Sequence, residues 1–174
     1  MGINRNLIKG NYSEALVLNI CAKVGETGDF LAFTREYMYD AEAIVVRSAL
    51  SALSKATDAQ IAQLMPIKDE LIDMAIQCSN SSIRRALLGL ILRLNLKRED
   101  VRTDFLDHCL SHMMAPDEVP SVQSLCMKLA YQMCKFYPEL MEELKRTLQT
   151  MEISYYTPAV KSVRRKILNH TYKG

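Results

Sequence analysis

Residues 81–94 read SSIRRALLGLILRL, and this stretch decides how the rest of the chain is interpreted. Its apolar side chains recur every three to four residues, which predicts an amphipathic helix with a wide apolar stripe. Gly89 interrupts the stripe, and we expect it to permit the close approach of a neighbouring helix. Three other segments of the chain resemble the opening of this stretch, residues 83–87, with weaker similarity. The four copies are Val46-Arg47-Ser48-Ala49-Leu50, Ile83-Arg84-Arg85-Ala86-Leu87, Val122-Gln123-Ser124-Leu125 and Val160-Lys161-Ser162-Val163.

The four copies are evenly spaced. Their leading aliphatic residues lie 37, 39 and 38 residues apart. A fixed period of this length is typical of two-helix repeats, in which each hairpin buries its apolar face against the next. We call the residue after the leading aliphatic the signature position; it is Arg47, Arg84, Gln123 and Lys161 in the four copies. The period therefore predicts a row of similar helical hairpins.

Helical periodicity runs through most of the chain, and no alternation of β-branched residues competes with it, so we predict an all-α fold. Ser13 and Asp29 are predicted N-caps, and Gly25 is predicted to end the first helix. Pro66 lies inside an apolar helical pattern and predicts a bend. The predicted helices cover residues 12–24, 30–38, 42–56, 58–78, 81–95, 98–114, 120–136, 138–152 and 158–171.

Each helix that carries a signature position is separated from the next one by a single other helix. The resulting two-helix unit resembles a HEAT or armadillo-type repeat. The second helix of such repeats commonly opens with an aliphatic-basic pair, as in Val46-Arg47, Ile83-Arg84 and Val160-Lys161. A first helix bent by an internal proline, here Pro66, is also similar to HEAT usage. The third copy departs from the pattern because Gln123 replaces the basic residue. The resemblance implies an α-α superhelix, that is, a HEAT-like solenoid of about four helical hairpins.

The resemblance covers roughly residues 29–171, and it suggests how the chain is divided. We predict a single HEAT-like domain over residues 1–174. Residues 1–28 form an N-terminal cap or a degenerate repeat in this prediction. The expected repeats are residues 29–57, 58–97, 98–137 and 138–174.

The composition predicts a folded cytoplasmic protein. Hydrophobic residues make up 49% of the 174 residues, charged residues make up 24%, and the net charge is only +2. Five cysteines form an odd number with no CxxC pair, which favours reduced thiols over a disulfide framework. We find neither a signal-peptide pattern nor an apolar run long enough to span a membrane, and so expect no membrane association.

Basic residues are unevenly distributed. The segments 44–57, 81–95, 120–137 and 158–174, which contain the predicted second helices, hold twelve lysines and arginines and no Asp or Glu. All twenty carboxylates lie elsewhere. If second helices line the concave side of the stack, as the family resemblance implies, that side is positive and attracts anions.

A structural interpretation of the same asymmetry stays open. The resemblance to HEAT-like stacks implies that bases at the start of second helices often pair with acids in neighbouring turns, and bases near helix C-termini suit the helix dipole. The acids placed to form such pairs are Asp40, Glu42, Asp117 and Glu118. The last helix is an exception, because its bases exceed what one cap needs. They are Lys161, Arg164, Arg165 and Lys166.

Catalytic and metal-binding patterns are weak. The sequence has no GxGxxG, P-loop, GxSxG or HExxH motif. Asp104, His108 and His112 are spaced to share one helix face, but a closed zinc site needs four ligands and His170 is the only other histidine. We interpret these residues as solvent-facing, and we predict neither a cofactor nor a metal, and no enzymatic activity.

We therefore predict a non-catalytic interaction scaffold that presents a basic concave surface to an acidic protein or peptide. The expected contact residues are Arg47, Arg84, Arg85, Lys161, Arg164 and Arg165. An alternative is binding to a nucleic-acid backbone, similar to HEAT-like DNA glycosylases that act on alkylated bases. Catalysis is not expected in that case, because the chain has no tryptophan and the second helices have no carboxylate. An enzyme of unrecognised type, the partner's identity and the oligomeric state stay open.

Overall fold

The computed structural model describes residues 3–173, which form helices and turns with no strand among them. Three short segments are 3-10 helices, at Ala62–Ile67, Arg98–Asp100 and Ile153–Tyr155. The α-helices are α1 (Arg5–Ile8), α2 (Glu14–Thr27), α3 (Phe30–Tyr37), α4 (Ala43–Leu53), α5 (Asp58–Ile61), α6 (Lys68–Gln77), α7 (Ser81–Arg93), α8 (Thr103–Met114), α9 (Pro120–Cys134), α10 (Pro138–Gln149) and α11 (Pro158–Leu168). The all-α prediction is confirmed.

The chain divides into two compact units, with the boundary after Leu94. Unit 1 contains α1 to α7, and unit 2 contains α8 to α11. The predicted division into one domain of four repeats stays a prediction.

In unit 1 the second helices form a layer. Helix α4 packs against both α2 and α7, while α3 packs on α4 and α6 packs on α7. Fully buried aliphatic side chains join these helices, among them Ile20 of α2, Leu50 of α4, Leu71 of α6 and Leu87 of α7. Removing apolar surface of this extent from water is the main stabilising contribution to such a layer. Helices α2, α4 and α7 are thereby fixed side by side.

In unit 2, α9 is the central helix. It packs against α8, α10 and α11, and its Cys126 and Met127 are fully buried. Phe105 of α8 is also fully buried. The hydroxyl of Tyr156 donates a hydrogen bond of 2.7 Å to the carbonyl of Met114, which ties the turn before α11 to the end of α8. Unit 2 is thus two hairpins around one core.

The four leading aliphatic residues occupy matching places. Val46 is the fourth residue of α4, and Ile83, Val122 and Val160 are the third residues of α7, α9 and α11. All four side chains are buried. The recurrence in the sequence therefore corresponds to one position in the first turn of each second helix.

Several helix starts follow the local signals. The Ser13 side chain accepts a hydrogen bond from the Leu16 N–H at 3.1 Å, and Asp29 accepts one from the Ala32 N–H at 2.8 Å. Pro138 and Pro158 are the first residues of α10 and α11, a position where the missing N–H of proline costs nothing. These predictions of helix starts are confirmed.

Other boundaries differ from the prediction. Helix α2 runs through Gly25 and ends at Gly28, whose φ of 72° is left-handed and suits glycine. The predicted start near residue 98 is wrong, because α8 begins at Thr103 after a separate 3-10 turn. Pro66 lies within the 3-10 segment Ala62–Ile67 rather than at a simple bend. Proline cannot donate to an α-helical ladder, so a tighter helix joins α5 to α6.

Candidate binding surface

The carboxylates before α4 are engaged by α1. Arg5 donates two hydrogen bonds of 2.7 Å to Asp40, and Glu42 lies 2.9 Å from Arg5 and 2.8 Å from the Lys9 ammonium. These hydrogen bonds from Arg5 lower the pKa of Asp40 to about 2. The hypothesis that Asp40 and Glu42 pair with the base at the start of α4 is therefore not met, and Arg47 is left for another role.

Arg47 instead stacks on an aromatic ring. Its guanidinium carbon lies 3.8 Å from the centre of the Tyr12 ring, a cation–π contact. Within residues 3–173, no carboxylate forms an ion pair with Arg47. Tyr12 is 38% exposed, so the stacked pair lies at the surface of unit 1. The contact orders the guanidinium without neutralising its charge.

Arg84 and Arg85 are neighbours with different surroundings. Asn80 caps α7 by accepting hydrogen bonds from the Ser82 and Ile83 N–H groups, and the helix then turns about 100° per residue. The half-buried Arg84 donates to the carbonyl of Cys78, the C-cap residue of α6. Arg85 is exposed, and no described carboxylate pairs with it. Arg84 therefore satisfies a helix end, whereas Arg85 offers an unneutralised charge.

Gln123 does in unit 2 what Arg84 does in unit 1. Its side-chain amide donates a hydrogen bond of 2.6 Å to the carbonyl of Ala115, the C-cap residue of α8. Gln123 is only 2% exposed. A neutral donor is sufficient here, because the task is to satisfy a carbonyl at the end of the preceding helix. This explains why the third copy can lack a basic residue at the signature position.

The basic side chains near the C-terminal ends of α4 and α7 form ion pairs or hydrogen bonds within unit 1. Arg93 donates hydrogen bonds of 2.7 Å to the Ala56 carbonyl and to the Asp58 carboxylate. Lys55 lies 3.1 Å from Glu14, and both side chains are solvent-accessible. A surface pair of that kind contributes little to stability. Lys55 and Arg93 are thus charged side chains with partners of opposite charge.

A cleft of about 410 Å³ lies between α2, α4 and α7. Val17 and Leu90, which are 3% and 1% exposed, contribute to its apolar floor. Arg85 is part of the wall, next to the serine hydroxyls from the end of α4. The lining residues are Tyr12, Glu14, Val17, Ser51, Ser54, Lys55, Arg85, Ala86, Gly89, Leu90 and Arg93.

Gly89 lies in this cleft rather than at a helix contact. A Cβ atom placed on Gly89 would meet no atom within 4 Å outside its own helix backbone and chain neighbours. The expectation that this glycine permits close helix packing is therefore wrong. The space that a side chain would fill is part of the cleft.

The predicted residues of α11 also divide by role. Arg164 donates a hydrogen bond of 2.7 Å to the carbonyl of Leu148 in the last turn of α10. Lys161 is half-buried and Arg165 is exposed, and neither pairs with a described carboxylate. Of the six predicted contact residues, Arg84 and Arg164 thus hold helix ends.

The two histidines of α8 interact with each other and with the nearby Glu118. His112 Nδ1 lies 2.6 Å from Glu118 Oε2, and the rings of His108 and His112 are 4.1 Å apart. Between residues 3 and 173, no group of three His, Cys, Asp or Glu side chains is placed to hold a metal ion. The interpretation of these two histidines as solvent-facing is only partly met, since both are half-buried.

The buried cysteines of unit 2 are poor nucleophiles. Cys109, Cys126 and Cys134 are free thiols within the core around α9. Burial raises the pKa of Cys109 well above its ordinary value and that of Cys134 to about 11. The reactive species of cysteine is the thiolate. These two thiols therefore stay protonated near neutral pH.

Comparison with known families gives one match. The family model for the HEAT repeat domain matches residues 4–171, which is nearly the whole chain. Such domains are helical repeat scaffolds that are often used in protein interactions and are generally non-catalytic. Comparison with curated proteins and with solved structures gave no significant match. In the described part of the chain, every helix is too short or too polar to cross a lipid bilayer.

Proposed function

This chain belongs to the HEAT repeat domain family, and on that premise we propose that it is a non-catalytic scaffold whose second helices bind an acidic protein partner. In unit 1 the proposed contacts are Arg85, which lines the cleft, and Arg47, which stacks on the lining residue Tyr12. In unit 2 they are Lys161 and Arg165 of α11. Arg84 and Arg164 belong to the predicted set of contacts, but in this proposal they support the surface by holding helix ends.

The observation that carries the proposal is that Arg85 is exposed and has no carboxylate partner among the described residues. Its side chain is exposed and lines the cleft, and no described carboxylate pairs with it. Arg84, one residue earlier, is used by the fold. An exposed arginine presents five donors in a planar fork that matches a carboxylate. Its charge is therefore available to a partner.

The distribution of charge supports an acidic partner. Residues 44–57 and 81–95, which contain α4 and α7, hold five basic residues and no acidic one. Asp40 and Glu42, the acids before α4, are paired with α1. Lys55 and Arg93 have carboxylate partners and Arg84 donates to a helix end, so Arg47 and Arg85 supply the positive charge that would attract an anionic partner although the net charge of the chain is only +2.

A protein fits this surface better than a nucleic acid. The cleft has an apolar floor, which suits an apolar side chain of a protein better than the phosphates of a nucleic-acid backbone. Bases stack on exposed aromatic faces, whereas Tyr12 is the aromatic residue that lines this cleft and one face of its ring is covered by Arg47. Binding to a nucleic-acid backbone is therefore the alternative that the experiment must exclude.

Affinity purification from the native cell tests the proposal. The full chain is immobilised as wild type, as the double variant Arg47→Glu with Arg85→Glu, and as a control with Arg35→Glu and Arg146→Glu. The control changes the same charge on exposed arginines of the first helices α3 and α10. Retained proteins are quantified by mass spectrometry after each preparation is shown to be folded by circular dichroism.

We expect at least one acidic protein to be retained by the wild type and by the control, and to be lost from the double variant. A set of retained proteins that is identical for all three chains would contradict the proposal.

Titration with a labelled DNA duplex tests the nucleic-acid alternative. Duplex binding that weakens steeply with salt, and that is lost in the double variant, would favour the nucleic-acid alternative.

A further inference from the structure

The geometry of unit 1 points to a more specific ligand. We propose that the cleft between α2, α4 and α7 takes one bulky apolar side chain of an acidic peptide segment, while Arg85 and Arg47 hold carboxylates beside it. This inference rests on the proposed function and specifies the local chemistry of the partner. It assigns the cleft as the anchor site and the two arginines as the charged rim.

The size and floor of the cleft suit an apolar side chain. Its volume of about 410 Å³ falls within the range of about 300–1,000 Å³ that is usual for ligand pockets. The buried side chains of Val17 and Leu90 reach its floor, together with Ala86. An apolar group entering the cleft would therefore exchange water for apolar contacts, which is favourable in proportion to the area buried.

Gly89 is the second sign that the cleft is a site. Glycine in the middle of a helix is unfavourable relative to alanine, and nothing packs against this one that would require its small size. Any side chain at this position would enter the cleft. The glycine therefore keeps open a space that the fold itself does not need.

Some of the bases at and beside the cleft have carboxylate partners among the described residues, and others do not. Lys55 faces Glu14, and Arg93 is paired with Asp58, so these bases are already balanced. Arg85 lies in the wall without a carboxylate partner among the described residues. Arg47 adds a second unneutralised guanidinium, which the Tyr12 ring holds in place. Two positive groups beside one apolar cleft match an apolar residue that has acidic neighbours.

Arginine and aromatic residues around a desolvated pocket are the usual composition of a binding hot spot. Tyr12, Arg47 and Arg85 provide such a set here. The expected ligand segment is therefore short: one Phe, Leu or Met side chain as the anchor, with Asp or Glu within a few residues on either side.

A peptide selection tests the inference. Random 12-residue peptides displayed on phage are selected on the immobilised full chain as wild type, Gly89→Leu, Gly25→Leu and Arg85→Glu. The Gly89→Leu change fills the cleft. Gly25→Leu is the matched control, because this exposed residue of α2 lies outside the cleft lining and its Cβ would meet only the Gln60 side chain, at 4.0 Å. Thermal unfolding confirms that each variant is folded.

We expect the wild type to enrich peptides that combine acidic residues with one bulky apolar residue. Binding of these peptides should fall at least tenfold with Gly89→Leu, in line with about a tenfold or larger effect for losing a hot-spot contact. Gly25→Leu should bind them as the wild type does. Arg85→Glu should lose the preference for acidic residues.

Two outcomes separate this inference from the proposed function. Acidic peptides without an apolar preference, bound equally by Gly89→Leu and lost with Arg85→Glu, would overturn the inference and leave the proposed function standing. Selected peptides with no acidic preference, or with no dependence on Arg85, would overturn both.

Discussion

The first turns of α7 and α9 differ from the first turn of α4, although all three carry the same sequence signature. In α7 and α9 the residue at the signature position, Arg84 or Gln123, donates to a carbonyl at the end of the preceding helix. In α4 the corresponding Arg47 stacks on Tyr12. The same position therefore provides a hydrogen-bond donor to a helix end in α7 and α9, and a stacked surface charge in α4.

Within the repeated motif, residues that satisfy helix ends can be distinguished from the residues that we propose to contact a partner. Arg84 and Gln123 differ in charge but satisfy the same kind of carbonyl, so their role is structural. Arg85 follows Arg84 directly yet points elsewhere on the helix, because successive residues are about 100° apart. In our proposal the basic binding surface is made by Arg47 and Arg85, so substitutions at the structural positions and at the proposed contact positions should have different effects.

The largest effect on stability is expected for Gln123→Leu. The change removes the hydrogen bond from the Gln123 amide to the Ala115 carbonyl, which keeps a second bond from the Glu118 N–H, so we expect a loss of about 0.5–1.5 kcal/mol. Urea unfolding of the variant measures this loss. Gln149→Leu, at an exposed position in α10, is the control and should change stability by less than about 0.5 kcal/mol. Equal stabilities for the two variants would contradict the structural role of the Gln123 side chain.

Two glycines should respond in opposite directions to alanine. Gly89→Ala should stabilise the chain by about 0.5–1 kcal/mol, since the helix gains a better helix former and the Cβ has room. Gly28→Ala should destabilise it by roughly 1 kcal/mol, because its φ of 72° is left-handed. Thermal unfolding of both variants in one buffer provides the test. A loss of stability for Gly89→Ala would mean that the helix backbone there packs more closely than the cleft implies.

Arg47→Ala and Arg85→Ala sharpen the comparison at the surface. Loss of the cation–π contact with Tyr12 should cost about 0.5–1 kcal/mol at this exposed site. Arg85→Ala should change the free energy of unfolding by less than about 0.5 kcal/mol, because the side chain has no described charged partner. Urea unfolding distinguishes the two. A larger cost for Arg85→Ala than for Arg47→Ala would show that the fold uses Arg85 after all.

The contribution of Asp40 to stability depends on pH. Arg5 lowers the pKa of this carboxyl from 3.8 to about 2 in the folded chain. The ion pair therefore stabilises the fold fully above the ordinary pKa, and this stabilisation is lost as pH falls towards 2. We expect Asp40→Asn to be less stable than the wild type at pH 7, with a difference that shrinks between about pH 4 and pH 2. Thermal unfolding across that range would contradict this if the difference stayed constant.

The sequence predicted the features that depend on local chemistry. Ser13, Asp29 and the prolines at the starts of α10 and α11 mark their helices because caps and proline act within one turn. Helix α1 was missed because four residues carry almost no periodicity. Its position depends on the pairing of Arg5 with Asp40, which lies 35 residues away.

The binding surface could be predicted only in part. The sequence identified Arg47, Arg84 and Arg85 as one basic set, because side chains with the same charge look alike before packing is known. Only the structure shows that Arg84 reaches the end of α6 and that Arg85 does not. The cleft was missed altogether. The one available signal was Gly89, which is unfavourable in the middle of an apolar helix and was interpreted as a packing residue.

Nuclear magnetic resonance tests most directly the claim that some arginines serve the fold and others serve a partner. The full ¹⁵N-labelled chain is titrated with the most enriched acidic peptide from the selection, and the side-chain Nε–H signals of the arginines are followed with the Gly89 amide. The account predicts that the signals of Arg47, Arg85 and Gly89 shift together while those of Arg84 and Arg164 stay in place. Shifts at Arg84 and Arg164 without any at Arg85 would contradict it.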